Sequence, residues 1–309
     1  MARPAPASAR AVDIVAFLTA HPSRGFTISE LVSHLGMNIA SAHATLAVLC
    51  DSGFLIRDPA HRTYVLGPAL AVTGFAALEQ HPAIGAALEQ AEVLADGLDV
   101  EVGLSAVAGR DIIFLARRGP QPLVQSIGYP GDRTPLLAPI GAVFLAWADD
   151  GTVTSWLERA ALPAPLTELY RGVLAEIRDR GFSVPLQAIA APAMIDAIAK
   201  MRSDPTDDHA EQRLTEVLAI SGEMLLSFDG LTESDEIAVK TVAAPIFDPI
   251  GRVMLALSIT APDQPTTVGH VLDLGRRLVQ SALIATRESR GRVPGRDLVT
   301  GTVGSTRHR

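Results

Sequence analysis

Cysteine is all but missing. Cys50 stands alone among 309 residues, so no internal disulfide can form and a reducing compartment is expected. Long apolar runs are missing too, because Asp, Glu, Arg, Gly or Pro interrupts each stretch before it reaches the roughly 20 residues that a membrane-spanning helix needs. Residues 1–10 are rich in Ala and Pro and hold no apolar signal core. The expectation is a cytoplasmic protein. Positive charge is scarce: 26 Lys and Arg stand against 34 Asp and Glu, for a net charge of −8, which at first argues against a nucleic-acid partner. The patterns of common enzyme sites are also lacking. There is no Cys-x-x-Cys, no His-Glu-x-x-His, no phosphate-cradling Gly-rich loop with Lys and no Gly-x-Ser-x-Gly. Eight histidines are scattered without metal-ligand spacing, and the pairs Asp149-Asp150 and Asp207-Asp208 fall in polar connectors where solvation explains them. No catalytic residue, metal or cofactor is expected.

What is present is a core-forming composition, 48% hydrophobic and 19% charged, on a chain long enough for two domains. The stretch 27–66 organises the reading. Thr27-Ile28-Ser29-Glu30 places a Thr three residues ahead of a Glu, the pattern by which each side chain satisfies a free amide at a helix start. Leu31, Val32 and Leu35 give an apolar stripe that Gly36 stops. A second helix follows, in which Ile39, Ala42, Leu46 and Leu49 pack while Asn38, Ser41, His43 and Ala44 look outward. Two short strands, 53–57 and 63–66, flank a turn over 58–62. With a first helix over 9–20, this predicts a winged helix-turn-helix unit, the shape that lays a helix in a DNA groove. Up to Leu66 five arginines face four carboxylates, so this unit is near +1 and the acidity lies elsewhere. So modest a charge would profit from two copies in a dimer.

Residues 68–80 and 84–98 read as two helices. Hairpin signals then dominate: 100–107 and 112–117 flank the turn 108–111, and 239–247 and 252–260 flank Asp248-Pro249-Ile250-Gly251. A further strand is expected at 123–127 and another at 182–184. Helices are expected at 152–160, 166–180, 188–201, 208–228 and 266–288. Mixed strands and helices with hairpins predominating predict an α+β domain with a mainly antiparallel sheet and a ligand cavity on one side. The Gly/Arg/Ser-containing end, 289–309, reads as a disordered tail.

Taken together, these pieces resemble the IclR family of bacterial transcription regulators. The resemblance runs through Ala9-Arg10-Ala11-Val12-Asp13-Ile14, residues 27–36, Gly53-Phe54-Leu55 and Tyr64-Val65-Leu66-Gly67. It resumes at Pro135-Leu136-Leu137-Ala138-Pro139-Ile140-Gly141, at residues 243–248 with Gly251-Arg252-Val253, and at residues 256–262. The resemblance implies a winged helix-turn-helix DNA-binding domain (9–67), a linker helix (68–81) and an effector-binding and oligomerisation domain of GAF-like type (82–288). It implies an operator of double-stranded DNA, a small-molecule effector, and a homodimer or homotetramer.

The DNA-contact candidates on this chain are Asn38, Ser41, His43 and Thr45 on the second helix, able to hydrogen-bond bases or phosphates, and Arg57, His61 and Arg62 on the wing, able to hold the backbone. Ile39 stands where Lys is frequent in the family and Ala44 where Arg is frequent, which removes the usual bidentate reader of guanine. His43 has a plain helix-surface role as its alternative, and Ser41 and Thr45 are equally suited to solvated or capping positions. Effector contacts fall at Ala138, Pro139, Ile140, Gly141, Thr241, Ser258 and Thr260. Few hydroxyls in an apolar setting suit a small organic or aromatic acid, although hydroxyls on a half-buried strand can equally bond locally. Residues 185–236 form an insertion relative to the family, either a lid, an oligomer contact or a surface excursion. The expected function is a ligand-responsive transcription regulator at a palindromic operator; the alternative is a metabolite-sensing or protein-binding module that has lost sequence-specific DNA binding.

Overall fold

The computed structural model describes residues 5–120, 130–185, 216, 227–239, 241–260 and 265–295. Its N-terminal part is built from α1 (Pro6–Ala20), β1 (Phe26–Thr27), α2 (Ile28–Leu35), α3 (Ile39–Asp51), β2 (Leu55–Arg57) and β3 (Thr63–Leu66). The capping box forms as its sequence requires. Thr27 Oγ1 accepts from the Glu30 amide at 3.3 Å, and Glu30 Oε2 accepts from the Thr27 amide at 2.7 Å. One apolar cluster closes the unit, with Ile14, Leu18, Phe26, Leu31, Leu46 and Leu55 each at most 2% exposed. Burial of this kind is worth about 1.5–3 kcal/mol per large side chain. The wing holds three strands in the order β1-β3-β2, one more than the sequence predicts, because Phe26 pairs with Tyr64.

Ile39 departs from expectation: it is 53% exposed, while Ala42, Leu46 and Leu49 are buried. The reason is angular. At about 100° per residue, Ile39 leads the stripe set by Ala42 by roughly 60° and falls beyond its edge.

Two helices follow, α4 (Pro68–Gln80), with no buried residue, and α5 (Pro82–Leu98), whose buried Ala83, Ala87 and Ala91 repeat every four residues. The rest is built on β4 (Val102–Ala108), β5 (Asp111–Arg118), β6 (Arg133–Pro135), β8 (Thr241–Phe247) and β9 (Val253–Thr260). These form an antiparallel sheet in the order β6-β5-β4-β9-β8. Between β6 and β8 come α6 (Ala142–Leu145), α7 (Asp150–Arg159), α8 (Ala164–Arg180) and the short β7 (Glu236–Ile237); β10 (Thr266–Thr267) pairs with β7 and leads into α9 (Val268–Glu288).

The sheet divides two cores. On one face α5 and α9 cover Val102, Leu104, Val242, Leu257 and Ile259. On the other, α6, α7 and α8 cover Ile112, Phe114, Ala243 and Ala256. The expected strand at 182–184 is a single bridge, Ser183 to Ala243. The expected strand at 123–127 and helix at 188–201 lie outside the described residues, as do nearly all of 208–228 and residues 296–309 of the tail expected from 289.

Candidate nucleic-acid interface and effector face

The DNA-facing candidates occupy two places. On α3, Asn38 is the N-cap: its Oδ1 accepts from the Ala40 and Ser41 amides at 2.9 and 3.4 Å, which uses its acceptor and leaves its amide protons outward. Ser41 and Thr45 are half-buried and share one side of the helix, and Thr45 Oγ1 donates to the Ser41 carbonyl at 2.9 Å. His43 is exposed. Two residues are about 200° apart on a helix, so His43 lies nearly opposite both Ser41 and Thr45. The structure therefore does not gather these three into one stripe. The outermost face of α3 carries exposed Ala40, Ala44, Ala47 and Asp51, short or acidic side chains with little to offer a phosphate.

Arg57, His61 and Arg62 are all exposed on the β2–β3 hairpin. The turn between the strands is held from within. His61 Nδ1 donates to Asp58 Oδ2 at 2.6 Å and the Ala60 amide donates to Asp58 Oδ1 at 2.8 Å. Those two bonds, the histidine's first, keep the Asp58 carboxyl below its ordinary range. Arg62 follows at φ +55°, a left-handed conformation that closes the turn and keeps its side chain at the tip.

The second group of candidates lies on the sheet face toward α6–α8. Ala138 and Pro139, joined by a cis peptide, are buried, and Ile140 and Gly141 are half-buried. Gly141 sits at φ +83°, and a Cβ there would be 2.3 Å from Leu136 Cδ1, so only glycine fits this bend. Two side chains of α7 pin the loop: Trp156 Nε1 donates to the Ile140 carbonyl at 3.2 Å, and Arg159 Nη1 to the Leu136 carbonyl at 3.2 Å.

Thr241, Ser258 and Thr260 are half-buried on adjacent strands. Thr241 pairs directly with Thr260, and Ala243 with Ser258, so all three share a face. Ser258 Oγ reaches the Gly103 carbonyl only at 3.5 Å. Thr260 Oγ1 donates to Glu101 Oε1 at 2.7 Å.

Sequence reasoning missed what lies beside them. Glu101 and Arg117 form an ion pair on the same face, with side chains only 10% and 11% exposed. A strand register slip brings them together. Ser105 pairs with Phe114, but Leu104 pairs with Ala116, so Leu115 is an extra residue. That bulge turns Arg117 opposite Gly103 rather than opposite Val102. The only sequence signal was a charged residue at each open end of an apolar hairpin.

Among the described residues no group of three or more His, Cys, Asp or Glu is placed to hold a metal ion, and no helix is long and apolar enough to cross a membrane. A family model for the IclR helix-turn-helix domain matches residues 7–59. The chain is 23% identical over 275 residues to the Pca regulon regulatory protein of Pseudomonas putida, covering 86% of this chain and 76% of that one. Its fold matches that of an IclR transcriptional regulator from Alicyclobacillus acidocaldarius with a TM-score of 0.63, at 21% identity over 93% of this chain and all of the other. It also matches an IclR homolog from Microbacterium hydrocarbonoxydans solved with 4-hydroxybenzoate, with a TM-score of 0.60 at 18% identity over 92% and 99% of the two chains.

Proposed function

We propose that this chain, whose residues 7–59 match the IclR helix-turn-helix model and whose fold is that of IclR regulators, is an aromatic-acid-responsive transcription regulator, not an enzyme, acting in the cytoplasm at a palindromic operator. In this reading residues 9–67 hold the DNA, residues 68–81 link, and residues 82–288 sense the acid and join copies into a dimer or tetramer. Asn38 at the start of α3, with His43 on one flank of the helix and Ser41 and Thr45 on the other, meets the groove while Arg57, His61 and Arg62 hold the backbone. The acid lies against Ala138–Gly141, Thr241, Ser258 and Thr260. One structural neighbour holds 4-hydroxybenzoate, which supports an aromatic acid over a small aliphatic one.

The observation that carries the DNA half is the intact, capped helix-turn-helix with the first turns of α3 exposed. Footprinting on the DNA upstream of the chain's own gene, at low salt, tests it. Protection of two symmetric half-sites about one or two helical turns apart is expected.

A second reading has its own observation. The alanine-lined outer face of α3 offers no Arg or Lys to a base, as in a sensing or protein-binding module without sequence-specific DNA binding. Uniform, sequence-independent protection would favour that module.

A further inference from the structure

The ion pair beside Thr260 bears on which aromatic acid fits, an inference that rests on the effector reading above and narrows it. A threonine hydroxyl ordinarily gives one hydrogen bond and takes others. Here the proton of Thr260 is committed to Glu101 Oε1 at 2.7 Å. Glu101 is in turn fixed by Arg117, whose charge it neutralises, so the pair offers no net positive charge to a carboxylate. The Thr260 end of the face therefore presents lone pairs: the Thr260 oxygen and the acceptor sites left on the Glu101 carboxylate. A guest carboxylate placed there would meet these acceptors with no net positive charge to hold it. A guest hydroxyl would find acceptors at the right end of an otherwise apolar surface, in a setting where hydrogen bonds to charged groups are the stronger kind.

We propose that Glu101, oriented by Arg117, is the specificity-determining residue of the effector face, selecting an aromatic acid that carries a ring hydroxyl and turning that hydroxyl toward Thr260, with the carboxylate at the far end. The arrangement has a cost that argues for a purpose. A buried ion pair seldom adds net stability over apolar residues of the same size, and this one depends on a bulge that places Arg117 on the face it needs.

Isothermal titration of the full-length protein with benzoate, 3-hydroxybenzoate and 4-hydroxybenzoate tests the assignment. At least one hydroxybenzoate is expected to bind about tenfold tighter than benzoate, a difference of about 1.4 kcal/mol. Thr260→Val, similar in shape but without the hydroxyl, should bring the ratio to within about twofold, and Thr260→Ser should keep it. The double variant Glu101→Gln/Arg117→Met, which removes both charges rather than stranding one, should lower the ratio; if it does not fold, the Thr260 pair decides alone. Equal binding of benzoate and the hydroxybenzoates by the unaltered protein, or an unchanged ratio in Thr260→Val, overturns the inference and leaves the aromatic-acid reading in place. Binding of none of the three overturns both.

Discussion

Gly131 lies against Thr19. A Cβ built on Gly131 would stand 2.9 Å from Thr19 Cγ2 and 3.1 Å from the Thr19 carbonyl oxygen, so the end of α1 rests directly on the segment entering β6. Beside the contact is an open cleft of about 380 Å³, with Val12, Val15 and Leu70 on one side and Ile113 and Arg133 on the other. From Gly131 the chain runs through β6 to the loop at 137–141 within ten residues. A displacement of that loop thus has a short route to the helix-turn-helix unit, ten residues of chain followed by the Gly131–Thr19 contact.

Gly131 also sits at φ +90°, so Gly131→Ala meets both backbone strain and a clash. A loss of about 1–3 kcal/mol is expected, read as a lower denaturant midpoint. Adding Thr19→Ala removes the Cγ2 but not the carbonyl, and should recover only part of the loss.

On the wing, Arg57→Ala and Arg62→Ala should weaken DNA binding to a similar degree on every sequence. Each should also reduce the slope of log affinity against log salt by about 1 for each phosphate contact removed. His43→Ala, on the exposed side of α3, should instead change the preference among operator variants. Fluorescence anisotropy over a salt series separates the two behaviours.

The capping box sets a pH dependence. The Thr27 amide and hydroxyl hold the Glu30 carboxyl below its ordinary range. A carboxyl lowered on folding contributes stability that is fully present above its unfolded pKa and is lost as pH falls through the lower folded value. The melting temperature should therefore fall in acid below about pH 4.3, and Glu30→Gln should flatten part of that fall. Thr27→Ala should cost about 1 kcal/mol at neutral pH.

The exposed stripe on α4 predicts an oligomer contact. Val72 and Phe75 are each 67% exposed on a helix with no buried residue, and apolar side chains of that size in a row mark a binding surface. Phe75→Glu is expected to shift the chain toward monomer in light scattering, with the melting temperature of the monomer little changed.

Much of this architecture was legible because local rules and packing agreed. The Thr27/Glu30 pair predicts its own hydrogen bonds, and the hairpin turns at 108–111 and 248–251 lie where Gly109 and Gly251 take positive φ. What escaped depends on register or on neighbours. Leu115 reads as one more apolar strand residue, yet as a bulge it flips Arg117 to the other face of the sheet; a period of two carries no mark of where it slips. Ile39 fits a helical spacing within about 60°, and only the packed partners decide that it falls outside. The strand β6 is three residues long and includes Pro135, too short for alternation to show.

The most direct test joins the two ends of the molecule: affinity for the chain's own upstream DNA, at low salt, with and without saturating 4-hydroxybenzoate. Specific binding whose affinity changes several-fold when the acid is added is the predicted result, since a ligand can move the equilibrium only by its differential affinity for the two states. Specific binding that the acid leaves unaltered, although calorimetry shows the acid bound, would contradict it.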